Sequence, residues 1–247
     1  MAKSPGSGGR KAAPDARTAR GGGGVGRLKT ARGRTTSSAN WLNRQLRDPY
    51  VIAAQRDGLR SRAAYKLIEL DDRFHVLKPG ARVVDLGAAP GGWSLVAAER
   101  VRATASDGKV GRVVAIDIQE MEPITGVEIL HLDFLDDSAP EKLRALLGGP
   151  ADVVLSDMAA PATGHTQTDH IRIMGLLELA FDFARSVLAP GGAFIGKVLR
   201  GGTERELLDA LKKDFAEVRH VKPPASRKDS AEIYVVATGF RGGAPKT

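Results

Sequence analysis

The 247 residues contain no cysteine, which excludes disulfides, thiolate zinc sites and a cysteine nucleophile and suits a reducing compartment. Long apolar runs are also missing. None approaches the roughly 18 residues that a membrane span requires, and the first residues lack the apolar stretch of a secretory signal. A cytoplasmic chain without membrane contact is therefore expected. Acids are nearly absent from residues 1–38, where Asp15 alone faces nine basic residues: Lys3, Arg10, Lys11, Arg17, Arg20, Arg27, Lys29, Arg32 and Arg34. With 37 basic and 29 acidic residues in the chain, 28 of each remain beyond that segment, so the whole excess charge of +8 lies within it. The segment has nine glycines and no aromatic residue. It cannot bury enough apolar surface to offset its ordering entropy, and a disordered basic tail is predicted. Such an arm gains affinity for a polyanion by releasing counterions, although a solubilising leader or a transit peptide would have a similar composition.

What is present is a body of ordinary domain size, in a chain that is 42% apolar, enough for a core without staples. β-Branched apolar runs predict strands at Arg82–Leu86, Arg112–Ile116, Val127–Leu132, Asp152–Ser156, Ala193–Val198, Glu217–Lys222 and Glu232–Thr238. Helical patterns fit at Gly92–Arg100, Pro140–Leu147, Asp169–Leu188 and Thr203–Lys213. Strands alternating with helices of this length predict an α/β fold with a mostly parallel sheet covered on both faces. The loop Pro223–Ala231 has no helical pattern, so the last two strands form an antiparallel pair. A further helix is predicted over Ser61–Phe74, with Ser61 as its N-cap. Upstream, Arg44, Arg47, Arg56, Arg60 and Arg62 make a locally basic stretch, either a solvated helix face or a holder of RNA phosphates.

The stretch Val83-Val-Asp-Leu-Gly-Ala-Ala-Pro-Gly-Gly-Trp93 is a hydrophobic strand, an acid and a glycine-rich turn opening into a helix. Glycines there admit a ligand close to the backbone, at the strand ends where open α/β sheets bind ligands. It is neither a dinucleotide G-x-G-x-x-G nor a P-loop. Instead four successive strands end at or near an aspartate: Asp85, Asp117, Asp133 and Asp157. Any one of them could be a turn former or helix cap. Together they would repel a pyrophosphate and suit a ribose diol, an adenine amino group and a sulfonium, the combination found in S-adenosylmethionine.

Five segments in order carry a family resemblance: Gly58-Leu-Arg-Ser-Arg-Ala-Ala-Tyr-Lys66, Asp85-Leu-Gly-Ala-Ala-Pro-Gly-Gly-Trp93, Leu155-Ser-Asp-Met-Ala159, Gly196-Lys197, and Ser226-Arg followed by Glu232-Ile-Tyr. The chain resembles the FtsJ-type ribosomal RNA large subunit methyltransferase E family from about Ser38 to Gly239. That resemblance implies a Rossmann-like class I methyltransferase domain over 39–240 with a seven-stranded sheet, a short tail over 241–247, and S-adenosylmethionine as cofactor. It implies a catalytic tetrad of Lys66, Asp157, Lys197 and Glu232, with cofactor contacts at Gly91, Trp93, Asp117, Asp133 and Asp157, beside Asp85 from the aspartate ring. The implied reaction is 2′-O-methylation of a uridine ribose in the A-loop of the large ribosomal subunit, by a monomer without metal. One departure is visible: family members follow Ser-Asp-Met-Ala with Pro-Asn, whereas this chain has Ala160-Pro161-Ala162.

The residue types suit the chemistry. A ribose hydroxyl attacking a sulfonium methyl must lose its proton, and a lysine brought towards neutrality by burial beside another cation can take it. Nearby carboxylates oppose that shift while orienting the lysines. Lys197 is assigned as the base and Lys66 as substrate-orienting. A transfer RNA substrate, a non-catalytic assembly factor and an NAD-dependent oxidoreductase are the alternatives. The missing dinucleotide fingerprint disfavours the last. His75, His131, His165, His170 and His220 have no metal-binding spacing.

Overall fold

In the computed structural model, residues 47–161, 163–200 and 205–242 are described. The predicted tail, Arg44, Ala162 and the predicted helix start at Thr203 lie outside the described residues. One seven-stranded sheet forms from β1 (Arg82–Leu86), β2 (Arg112–Asp117), β3 (Val127–His131), β4 (Ala151–Ser156), β5 (Leu188–Leu199), β6 (Phe215–Val221) and β7 (Glu232–Phe240), in the order β3-β2-β1-β4-β5-β7-β6. The first five strands run parallel, and β7 lies between β5 and β6, antiparallel to both. β5 begins at Leu188, ahead of the predicted Ala193, because Leu188 already pairs with Ala151 before the register shifts to Val153 opposite Ala193.

Strand alternation sends neighbouring side chains into two separate cores. Val84, Leu86, Val154, Phe194, Val198 and Val235 pack on one face against α4 (Ala139–Leu147), α5 (Thr166–Val187) and α6 (Arg205–Asp214). Val83, Val153, Leu155, Ile195, Tyr234 and Val236 pack on the other against α1 (Pro49–Arg56), α2 (Ala63–Phe74) and α3 (Gly92–Arg100). Helix α1 starts where the chain dictates: Pro49 occupies the first turn and the Asp48 side chain accepts from the Tyr50 N–H at 3.0 Å.

Ser61 does not cap α2. The cap position is Arg62, already helical and without a side-chain cap bond. The Ser61 hydroxyl is instead buried without a hydrogen-bond partner above Gly92, where an added Cβ would stand 2.4 Å from it. The starts of α2 and α3 therefore approach closely at Gly92, where a side chain would displace the Ser61 hydroxyl. No helix among the described residues is long and apolar enough to cross a membrane.

β1 has β2 on one side and β4 on the other, so the chain leaves β1 and β4 in opposite directions. That reversal opens a crevice beyond the carboxyl ends of these strands, the place where such sheets bind ligands.

Candidate active site

Strand register brings the four predicted catalytic residues together. Lys197 of β5 lies directly opposite Tyr234 of β7, and Leu199 opposite Glu232. With a period of two, Lys197 shares the α2 face with Ile195, while Glu232 and Tyr234 share it with Val236. Asp157 follows the last residue of β4, and Lys66 projects from α2 across the same end of the sheet.

The result is a closed network. Lys197 Nζ donates to the Asp157 carbonyl at 2.8 Å and is paired with Asp157 Oδ1 at 2.9 Å, with Glu232 Oε1 at 3.8 Å. Lys66 Nζ donates to Glu232 Oε2 at 3.2 Å and to the Tyr234 hydroxyl at 2.9 Å. That hydroxyl donates in turn to Asp157 Oδ1 at 2.7 Å. Lys66 and Lys197 are only 5% and 6% exposed, so each ammonium would be costly without these partners. Glu232, with its side chain 32% exposed, is the member open to solvent and marks the side from which a large substrate can approach.

Electrostatics fix two protonation states. Burial would raise the Asp157 carboxyl, but the charges of Lys197 and Lys66 and the bonds from Lys197 and Tyr234 hold it below the usual carboxylate range. Burial, with the Asp157 and Glu232 charges, pushes the Tyr234 hydroxyl well above its ordinary value, so it stays a donor. Tyr234 was given no role by the sequence, although it stands in the quoted Glu-Ile-Tyr segment. The signal was its spacing of two from Glu232 on a strand, which puts both on one face.

Beside the tetrad lies a cleft of about 540 Å³ that includes Asp117, Asp133 and Asp157 with the apolar Ile118, Phe134 and Leu135. Asp117 accepts from the Ala89 N–H of the glycine turn and from the Gln119 N–H, both at 2.8 Å. Asp133 accepts from the Leu135 N–H at 2.9 Å. Each is thus a turn former and a cleft residue at once. The glycine turn is tight by necessity. Gly87 has φ +72°, and a Cβ there would stand 2.5 Å from Met158 Cγ and 2.9 Å from its Cα. Gly91, at φ +95°, caps α3, and its Cβ would meet Ile124 Cδ1 at 2.6 Å.

Three predicted cofactor contacts are not on the cleft wall. Gly91 sits behind the turn under Ile124. The Trp93 ring is buried against Tyr234 at 5.5 Å, and its Nε1–H donates to the Ala63 carbonyl at 2.8 Å, so its indole packs α3 against α2. Asp85 is fully buried beneath the turn and accepts from the Ser94 hydroxyl at 2.6 Å. Its other oxygen is buried without a partner. Burial, aided by the Asp157 and Asp117 charges and opposed by the Ser94 bond, pushes its carboxyl up to about 7.

Three arginines of the basic stretch have partners within the chain. Arg62 pairs with Asp48 at 2.9 Å and donates to the Ala225 carbonyl at 2.6 Å, Arg56 pairs with Asp57 at 2.7 Å, and Arg60 is turned onto backbone carbonyls. A charge pattern cannot reveal partners that lie far along the chain.

The cleft fits S-adenosylmethionine on structural grounds. It offers Asp117 and Asp133, which form no ion pair among the described residues, an orphaned buried oxygen below them, apolar side chains at Ile118, Phe134 and Leu135 that suit an adenine, and a turn in which added Cβ atoms would collide.

Residues 59–240 match the FtsJ-like methyltransferase family. The chain is 62% identical over 221 residues to Ribosomal RNA large subunit methyltransferase E of Azorhizobium caulinodans, covering 90% of this chain and 91% of that one. It is 63% identical to the protein of that name from Paramagnetospirillum magneticum, over 87% of this chain and 88% of that one. A crystal structure described as a ribosomal RNA methyltransferase from Plasmodium falciparum superposes with a TM-score of 0.65 at 32% identity, covering 74% of this chain and 100% of that one.

Proposed function

We propose that this chain, which belongs to the FtsJ-like methyltransferase family, transfers a methyl group from S-adenosylmethionine to a ribose 2′-hydroxyl of large-subunit ribosomal RNA. The observation that carries the assignment is the closed Lys66–Glu232–Lys197–Asp157 network beside an acidic cleft that shares Asp157 with it. The finer target, a uridine of the A-loop in an assembled subunit, rests on the family.

When bound, the cofactor supplies a methyl carbon on a positively charged sulfur. Asp117, Asp133 and Asp157 would hold it, with Asp85 adding negative charge from below. The chain's own work concerns the hydroxyl. Lys197 Nζ directs two positions at Asp157, and its third has only Glu232 Oε1 at 3.8 Å, beyond hydrogen-bond reach. As a neutral amine it keeps both bonds to Asp157 and aims its lone pair along the third direction. That lone pair is placed to take the ribose O–H proton, while the bound cofactor would supply the methyl carbon to the oxygen and keep the bonding electrons on its sulfur. Lys66, anchored by Glu232 and Tyr234, orients the hydroxyl and steadies the charge on its oxygen.

The test incubates the protein with labelled S-adenosylmethionine and large ribosomal subunits lacking ribose methylation, then maps the labelled RNA by nuclease digestion and mass spectrometry. Label on one 2′-hydroxyl is expected. Label on transfer RNA alone would overturn the substrate, and binding of cofactor without transfer to any RNA would overturn the activity.

A further inference from the structure

Arg60 lies between α1 and α2, in a stretch that its charge alone would assign to RNA. Its guanidinium lies against two loops at the surface. Nη1 donates to the Glu122 carbonyl at 2.6 Å and to the Pro90 carbonyl at 3.4 Å, and Nη2 donates to the Pro123 carbonyl at 2.6 Å. Pro90 belongs to the glycine turn after β1, and Glu122 and Pro123 to the loop between β2 and β3. One planar group thus joins two loops that are distant in sequence. The side chain also crosses Gly91: a Cβ added there would stand 3.3 Å from Arg60 Cδ and 3.4 Å from Nη1, with Ile124 Cδ1 at 2.6 Å.

Both joined loops build the cofactor cleft. The glycine turn contributes Gly87 and Ala89, and the loop after β2 contributes Ile118 and Gln119. Asp117 already ties the turn to the end of β2 through the Ala89 N–H. Arg60 ties the same turn to the far part of the β2–β3 loop. No carboxylate pairs with Arg60 among the described residues, so its partners are neutral carbonyls that require a fork rather than a charge.

We infer that Arg60 is a positioning residue for the cofactor, a brace that holds the glycine turn and the β2–β3 loop at the spacing of the binding cleft. The inference rests on the S-adenosylmethionine assignment of that cleft. Without the brace, binding must order both loops, and that cost falls on affinity. The catalytic step, which uses residues across the sheet, is left intact.

Arg60→Lys separates this role from an RNA contact, because lysine keeps the charge and loses the fork. Calorimetric titration with S-adenosylhomocysteine needs no RNA and no turnover. Failure of the wild-type protein to bind it would sink the cofactor assignment before any variant is compared. For Arg60→Lys and Arg60→Ala alike, affinity is expected to fall about tenfold, a loss equivalent to one net charge-assisted hydrogen bond. The KM for S-adenosylmethionine should rise in proportion, kcat at saturating cofactor should stay within about twofold, and the melting temperature without ligand should change little. Ile124→Ala, which leaves the guanidinium but removes the apolar side chain over Gly91, should weaken binding in the same direction by less. RNA affinity and its salt dependence should match wild type. The inference is overturned if Arg60→Lys binds cofactor normally while Arg60→Ala loses RNA affinity with a salt slope shallower by about one charge. Global destabilisation that accounts for the lost cofactor binding would overturn it equally.

Discussion

Two charged regions meet at Asp157 and are built on opposite principles. In the tetrad, cations and carboxylates alternate, and Lys66, Lys197, Asp157 and Glu232 each have a partner of opposite sign within the network. In the cleft, Asp117 and Asp133 bond only to N–H groups, Asp85 bonds to a hydroxyl beneath the turn, and no ion pair joins the three among the described residues. A self-neutralised network is rigid before any ligand arrives, which suits a step that depends on direction. In the cleft, which Arg172 also lines, Asp117 and Asp133 keep carboxylates that no ion pair neutralises among the described residues, and these suit a positively charged ligand. The contrast supports the proposed division, with transfer in the first region and holding in the second.

The largest effect should come from the residue they share. Asp157→Asn removes the charge facing two buried lysines and one wall of the cleft. It should lower the transfer rate about 10²–10³-fold, in line with the roughly 3–5 kcal/mol cost of breaking a buried pair, and weaken cofactor binding as well. Single-turnover rates and calorimetry on that variant test both halves together. Gly87→Ala attacks the frame instead, by placing a Cβ against Met158, next to Asp157, in a backbone region that favours glycine. A loss of about 2–4 kcal/mol in denaturant unfolding is expected.

Tyr234→Phe sharpens the comparison from the tetrad side. It deletes one hydroxyl that bonds both Asp157 and Lys66. The expected outcome is a fall in kcat of about 10–100-fold with the KM for cofactor unchanged, from the loss of hydrogen bonds to charged groups. A parallel rise in KM would instead make Tyr234 part of the cleft.

The smallest effect concerns pH. Asp85, pushed up to about 7, is largely protonated below that value in the unliganded protein. A cationic ligand favours its ionised form, so binding releases a proton on the acid side. Affinity should therefore rise as pH increases from 6 to 8, by up to about tenfold, and level off above. Asp85→Asn should flatten the profile.

Much of this was legible in the chain. Seven alternating apolar runs predict seven strands, and three of the four aspartates at their ends line the acidic cleft. The tetrad was legible only through motifs. Lys66 and Glu232 are separated by most of the domain and meet because β7 inserts beside β5 in one register. Tyr234 was passed over because a tyrosine in a strand is ordinary until its hydroxyl is found between Asp157 and Lys66. The internal partners of Arg60 and Arg62 are illegible for a related reason: they are backbone carbonyls and Asp48, set by tertiary packing that a charge pattern does not record. The aspartate ring points to Asp85 and the family motif to Trp93, and neither signal shows that both side chains are buried.

The division of labour is tested most directly by Lys197→Ala, with cofactor affinity and single-turnover methyl transfer measured on the same preparation. The prediction is a wild-type dissociation constant for S-adenosylmethionine with transfer reduced about 10²–10⁴-fold, the usual contribution of a positioned base. Transfer within a few-fold of wild type, or a loss explained by weakened cofactor binding, would contradict it.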